Sequence, residues 1–119
     1  MVEIQKLDSY CAVIIKEKEA NLESADVFKS SLMSLIDKGF KYLVVDFSDV
    51  EYVDSTFIAA LVSGLKYAMQ YNGDVAVARL SKDIRHLFSL IRMDKVFMIY
   101  DELPDLFEPS FGRGSKDLN

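Results

Sequence analysis

Three adjacent polar residues, Asp54-Ser55-Thr56, stand where an apolar stretch turns into a helical pattern, and they are the side chains best placed for chemistry. Asp54 suits a helix N-cap, because its carboxylate can accept first-turn amide hydrogens that have no partner inside the helix. Ser55 and Thr56 then fall in that first turn. Free amides and a partial positive charge there favour a phosphate, whether bound or covalently attached. A phosphoryl group on Ser55 would add about −1.5 to −2 charges to an acidic surface. The plainer reading is that both hydroxyls only cap the helix.

Other constellations point less far. Asp46, Asp49, Glu51 and Asp54 make an acidic cluster of the kind that holds magnesium in phosphoacceptor domains. Ser55, His86 and an Asp supply the residue types of a nucleophile triad. The sequence has no Gly-x-Ser-x-Gly elbow, however, and His86 sits mid-helix beside Leu87 and Phe88, a surface or packing position. One His and one Cys far apart offer no metal-ligand spacing, and no Gly-rich loop with a lysine is present to cradle phosphates. The expectation is no catalytic residue, no metal and no cofactor.

The elements that must hold the Asp-Ser-Thr step are readable around it. Tyr42, Leu43, Val44, Val45 and Phe47 form a nearly continuous apolar run, which suits a strand of a parallel sheet covered on both faces. Ser48-Asp49 is turn-like, and Val50, Tyr52 and Val53 return apolar surface to the core. Beyond Asp54 the period changes: Ile58, Leu61, Val62, Leu65, Ala68 and Met69 lie on one helical face, closed by Asn72-Gly73.

Upstream, Val2–Leu7 and Tyr10–Ile15 read as two strands, joined at Asp8-Ser9 by a tight turn into an antiparallel hairpin or, alternatively, by a bulge. Lys16-Glu17-Lys18-Glu19 is a charged strand end or a docking rim. Asn21 or Ser24 caps a helix whose buried face is Ala25, Phe28, Leu32, Leu35 and Ile36, ending at Gly39. Downstream, Val75–Ala78 is a strand. Ser81 caps a helix with Ile84, Leu87, Phe88 and Ile91 inward, and Val96–Tyr100 is a further strand. Asp101 caps a last short helix, with Pro104 in its first turn, Leu103, Leu106 and Phe107 packing it down and Pro109 stopping it. The fold class expected is α/β: a mixed sheet of about five strands with about four helices, an N-terminal antiparallel pair and then β-α-β units.

The chain has 119 residues, net charge −5, 50% hydrophobic and 28% charged residues, which fits one globular domain. We expect a domain over residues 1–108 and a flexible tail over 109–119, with Phe111 as an exposed aromatic contact. The acidic balance argues against nonspecific nucleic-acid binding, which needs clustered Lys and Arg. The opening MVEIQKLDSYC does not join a charged leader to an apolar core, and no apolar run approaches the about 20 residues that span a bilayer. The lone Cys11, inside an apolar strand, reads as a buried thiol. A cytoplasmic protein without membrane or nucleic-acid partners is expected, its oligomeric state open.

The stretch VVDFSDVEYVDSTFIAAL resembles the central motif of STAS domains, in particular bacterial anti-sigma-factor antagonists. The family pattern, a strand ending in Asp, a short loop, then Asp-Ser-Ser/Thr-Gly-Leu, falls on Asp46, Asp54, Ser55, Thr56 and Ile58. Its glycine is Phe57 here, and its upstream Gly-Glu-hydrophobic-Asp is Lys18-Glu19-Ala20-Asn21. The resemblance implies a non-enzymatic partner switch, phosphorylated on Ser55 or, as second choice, on Thr56. It implies binding to an anti-sigma factor that is also a serine kinase, release of a sigma factor, and resetting by a serine phosphatase. The implied partner-binding residues are Asp54, Ser55, Thr56, Phe57, Lys18, Glu19 and Asn21. Phe57 fills core if it points inward; if it points outward it either blocks a kinase partner or makes a new hydrophobic contact with it. Two other readings stand beside the switch: a STAS adaptor in a signalling or transporter assembly that is not phosphorylated, and a small-ligand or nucleotide-binding module.

Overall fold

A computed structural model describes residues 1–109. Five strands form the main sheet: β1 (Val2–Lys6), β2 (Cys11–Ile15), β4 (Tyr42–Asp46), β6 (Asp74–Ala78) and β7 (Ile99–Tyr100), side by side in that order. β1 runs antiparallel to β2, and every other neighbour pair is parallel. The expected hairpin turn is closed by the Leu7 amide donating to the Tyr10 carbonyl at 2.9 Å. A second, two-stranded parallel sheet pairs β3 (Glu19–Ala20) with β5 (Tyr52–Val53).

Side chains of the inner strands alternate between two covered faces. Cys11, Val13, Ile15, Leu43, Val45, Val75 and Val77 point towards the helices α1 (Leu22–Asp37), α2 (Ser55–Gln70) and α3 (Lys82–Leu90). Each helix buries the residues its period demands: Phe28, Leu32 and Leu35 on α1, Ile58, Leu61 and Leu65 on α2, Ile84 and Phe88 on α3. α1 and α2 touch closely at Gly64, where a Cβ would lie 2.5 Å from Leu32 Cδ1. On the opposite face Ala12, Val44, Ala76 and Ala78 are small or branched and lie beneath Tyr10 and Phe107.

The C-terminal segment departs from expectation. Residues 101–109 form no fourth helix but run as an irregular strap across the second face of the sheet. Polar groups of the strap and the sheet pair with one another instead of along a helix: Tyr10 OH donates to the Pro104 carbonyl at 2.6 Å, and the Phe107 amide donates to Ser9 Oγ at 3.0 Å. Phe107 stacks on Tyr42 with ring centroids 5.2 Å apart, while Leu106, expected inward, is exposed. Phe107 and Leu103 of the strap pack in one cluster with Ala12, Val44, Ala76 and Ala78. The strand expected from Val96 shortens to Ile99–Tyr100, because Met93–Lys95 forms a 3-10 turn entered through Arg92 in the left-handed conformation, φ 63°. Ile91, placed on the buried face of α3 by its period, is exposed just past the helix end. Among the described residues no helix is long and apolar enough to cross a membrane. The segment 110–119, including Phe111, lies outside the described residues.

An ion pair between a buried carboxylate and a half-buried arginine closes the top of the central strands. Asp46, fully buried at the end of β4, accepts two bonds from the Arg79 guanidinium, from Nε at 3.2 Å and from Nη2 at 2.5 Å. Asp46 Oδ1 also accepts the Ser48 amide at 2.9 Å, which starts the turn towards β5. Arg79 holds φ 56°, and the Asp46 hydrogen bond raises its pKa above the usual arginine range.

Candidate functional site

The site is built where two strand-to-helix junctions lie side by side. β3 runs into α1 through Asn21, and β5 runs into α2 through Asp54. The parallel ladder sets the register, with Glu19 beside Tyr52 and Ala20 beside Val53. The Lys18 carbonyl accepts the amides of Glu51 (2.7 Å) and Tyr52 (3.1 Å), and the Ala20 carbonyl accepts that of Asp54 (3.1 Å). Residues 18–21 and 51–54, far apart in sequence, are thereby locked together. Alternation sends Ala20 and Val53 into the core and Glu19 and Tyr52 outward. Tyr52, expected inward, is therefore 55% exposed: in so short a strand Val53 takes the one inward position.

Each junction carries its own cap. Asn21 Oδ1 accepts the Glu23 amide at 3.1 Å, and Ser24 Oγ accepts the Asn21 amide at 3.3 Å, so both expected candidates cap α1. Asp54 Oδ1 accepts the Phe57 amide at 2.9 Å, the N-cap bond expected of it. Its other oxygen, Oδ2, accepts the Leu22 amide of α1 at 2.9 Å. One carboxylate therefore caps both helices.

Ser55 and Thr56 are both exposed in the first turn of α2. Helix geometry leaves their amides without intrahelical acceptors, so the turn keeps its attraction for an anion. Lys18 and Glu19 are exposed and Asn21 is half-buried beside them. Phe57 is in the core. It has no exposed surface and stacks on Phe28 of α1, ring centroids 4.4 Å apart. A hollow of about 610 Å³ opens next to the junction, lined in part by Met1, Glu17, Lys18, Asn21 and Ser24.

The other constellations disperse. Asp46 is held by Arg79, Asp49 meets Lys16 at 3.2 Å, and Asp54 caps two helices. Among the described residues no three His, Cys, Asp or Glu side chains gather to hold a metal. His86 is on the exposed side of α3. Cys11 is buried, and burial raises its thiol pKa.

The family model for the STAS domain matches residues 3–106. The chain belongs to the STAS domain family. A Thermotoga neapolitana protein provisionally named an anti-sigma factor antagonist is 28% identical to this STAS domain over 102 residues, covering 85% of this chain and 90% of that protein. The crystal structure of a Thermotoga maritima protein, also provisionally named an anti-sigma factor antagonist, superposes with a TM-score of 0.75 at 26% identity, covering 86% of this chain and 87% of that one. The Bacillus cell fate determinant SpoIIAA in its phosphorylated form superposes with a TM-score of 0.65, covering 83% of this chain and 90% of that one. At 11% identity that likeness is one of fold alone.

The Leu22 amide and the outward Tyr52 belong to the junction but not to the residues singled out by sequence. No local pattern could have revealed the Leu22 bond, since its partner is 32 residues away.

Proposed function

We propose that this STAS domain is an anti-sigma-factor antagonist whose switch is Ser55. The observation that carries the reading is the placement of Ser55. It is an exposed hydroxyl at the first position of α2, next to its cap Asp54 and beside the rim of Lys18, Glu19 and Asn21. The unmodified surface captures an anti-sigma factor that is also a serine kinase, and the sigma factor is released. Bound to that surface, the kinase transfers the γ-phosphoryl group of ATP to Ser55. The Oγ–P bond forms, the bond to ADP breaks, and the hydroxyl proton passes to a base of the kinase. The STAS domain supplies recognition and the acceptor oxygen; ATP and magnesium belong to the kinase. The helix start tolerates the phosphate, while about −1.5 to −2 added charges reject a partner fitted to a neutral hydroxyl. A serine phosphatase resets the switch, and the setting is the cytoplasm. Thr56 is the alternative acceptor. Phe57 contributes from below, by fixing the helix start rather than by touching the partner.

The test is intact mass and peptide mapping after incubation with ATP, magnesium and each candidate anti-sigma kinase of the same cell. One phosphate is expected on Ser55, absent from Ser55→Ala and kept in Thr56→Ala, and Ser55→Asp should fold normally but lose the kinase. Binding that is equal for the wild type and Ser55→Asp, with no phosphate transferred, would replace the switch by an adaptor.

A further inference from the structure

The carboxylate of Asp54 is shared between two helices that meet the outside at different places. Oδ1 holds the third amide of α2, that of Phe57, and Oδ2 holds the first amide of α1, that of Leu22, each at 2.9 Å. Asn21, the cap of α1, serves the second and third amides, those of Glu23 and Ser24, and leaves the first to Asp54. The β3–β5 ladder and the Ala20–Asp54 backbone bond keep the junctions in register, so Asp54 needs no rearrangement to serve both. Beneath them Phe28 stacks on Phe57, and Gly64 lets the helices touch. The bodies of α1 and α2 are thus packed against each other independently of the bonds made at their first turns.

We infer that Asp54 is a positioning residue that couples the two junctions, so that a phosphate on Ser55 is felt at Asn21–Leu22 through this one carboxylate. The phosphate would stand beside the Asp54 carboxylate and compete with it for the first-turn amides of α2. Repelled and displaced, the carboxylate gives up the Leu22 amide. The start of α1 loosens while the helix bodies stay packed. Both strips of the docking surface, residues 18–22 and 54–56, then change together when only one serine is modified. This use of the coupling rests on the partner-switching reading, but its test needs no kinase.

The test places phosphoserine at position 55 during translation and follows amide exchange and chemical shifts by NMR on the whole chain. Loss of a hydrogen bond to a charged acceptor should speed exchange of the Leu22 amide by at least about tenfold. The Glu23 amide, held by Asn21, should keep its rate, and the Asn21 resonance should move. In Asp54→Asn, which keeps the shape but offers a single acceptor oxygen, the phosphate should no longer alter Leu22. Leu22→Pro cuts the same link from the other side, and so covers the case in which Asp54→Asn fails to fold. It removes the donor at a first helical position, where proline is well tolerated, and Asn21 already has the extended backbone that a residue before proline needs, φ −138° and ψ −172°. In Leu22→Pro the phosphate should leave the Asn21 resonance unmoved.

A Leu22 amide indifferent to the phosphate, or an Asn21 response undiminished in Leu22→Pro, would overturn the coupling. Either result leaves the switch itself standing. Conversely, a chain that no kinase modifies could still show the coupling in full.

Discussion

Truncating Phe57 to alanine should destabilise the domain by about 3–5 kcal/mol, the usual cost of removing a fully buried phenylalanine. The side chain has no exposed surface, and its ring lies 4.4 Å from that of Phe28 at an interplanar angle of 28°. The aromatic pair itself accounts for about 0.5–1.5 kcal/mol, and the rest is lost burial and the cavity left between α1 and α2. A domain of this size has about 5–15 kcal/mol in hand, so the variant should fold but melt at least about 10 °C lower. Phe57→Gly should fare worse still, by about 1 kcal/mol for a glycine inside a helix. Thr56→Ala, one residue away and exposed, should stay within about 0.5 kcal/mol of the wild type. Urea unfolding followed by circular dichroism measures all three; with no tryptophan in the chain, intrinsic fluorescence would rest on its six tyrosines. A loss below about 1 kcal/mol for Phe57→Ala, with an unchanged m-value, would mean that the ring is not in the core. Phe57 would then belong on the docking surface, in direct contact with a partner.

Two glycines should part company. A Cβ on Gly73 would lie 2.3 Å from the Lys41 carbonyl oxygen, a backbone atom with no room to yield, so Gly73→Ala should cost at least about 1–3 kcal/mol in a denaturation experiment. Gly64→Ala meets the buried Leu32 side chain, most closely its Cδ1 at 2.5 Å, rather than backbone, and gains helix propensity, so its loss should be the smaller of the two. Stability should also fall at alkaline pH. Burial raises the pKa of the Cys11 thiol above its ordinary 9.0, and burial and then nearby Asp105 raise that of the Tyr10 phenol above 10.0. A group whose pKa is raised on folding contributes fully below its unfolded pKa and loses that contribution as the pH climbs through the folded value. The free energy of unfolding should therefore hold steady up to about pH 8.5 and decline above it. The decline should be shallower in Cys11→Ala and Tyr10→Phe, and a slope unchanged in both would refute the assignment.

What the sequence discloses follows the reach of each physical signal. The three helices repeat their apolar positions over several turns and begin at Asn21, Asp54 and Ser81, all side chains that cap by local geometry. Such patterns are complete within a short window, and so is the apolar run of β4. β3 and β5 are two residues long, too short for any alternation to register, and only their pairing with each other makes them strands. Residues 101–109 carry a capping Asp and a suitably placed Pro, yet they run as an irregular strap that packs on Ala12, Ala76 and Ala78 and stacks Phe107 on Tyr42. Tertiary demand overrides local preference there.

The same limit explains the candidate site. That Asp54 caps α2 is written in three consecutive residues; that it also caps α1 depends on a ladder between segments some thirty residues apart. The direction of Phe57 was equally hidden. A phenylalanine at the third helical position faces inward only if the neighbouring helix presents something to receive it, and Phe28 does. With the ring directed inward, the outer surface at the start of α2 consists of Ser55, Thr56 and, one turn on, Ala59, all exposed and all small. The change from the family glycine to Phe57 is thus absorbed between α1 and α2. What a docking partner would meet is still a hydroxyl on a bare helix start. The departures that do reach the surface are Lys18 and Asn21, where the motif resemblance implies a glycine and an aspartate. Differences in partner choice between this STAS domain and its relatives should therefore be sought at that rim rather than at Phe57.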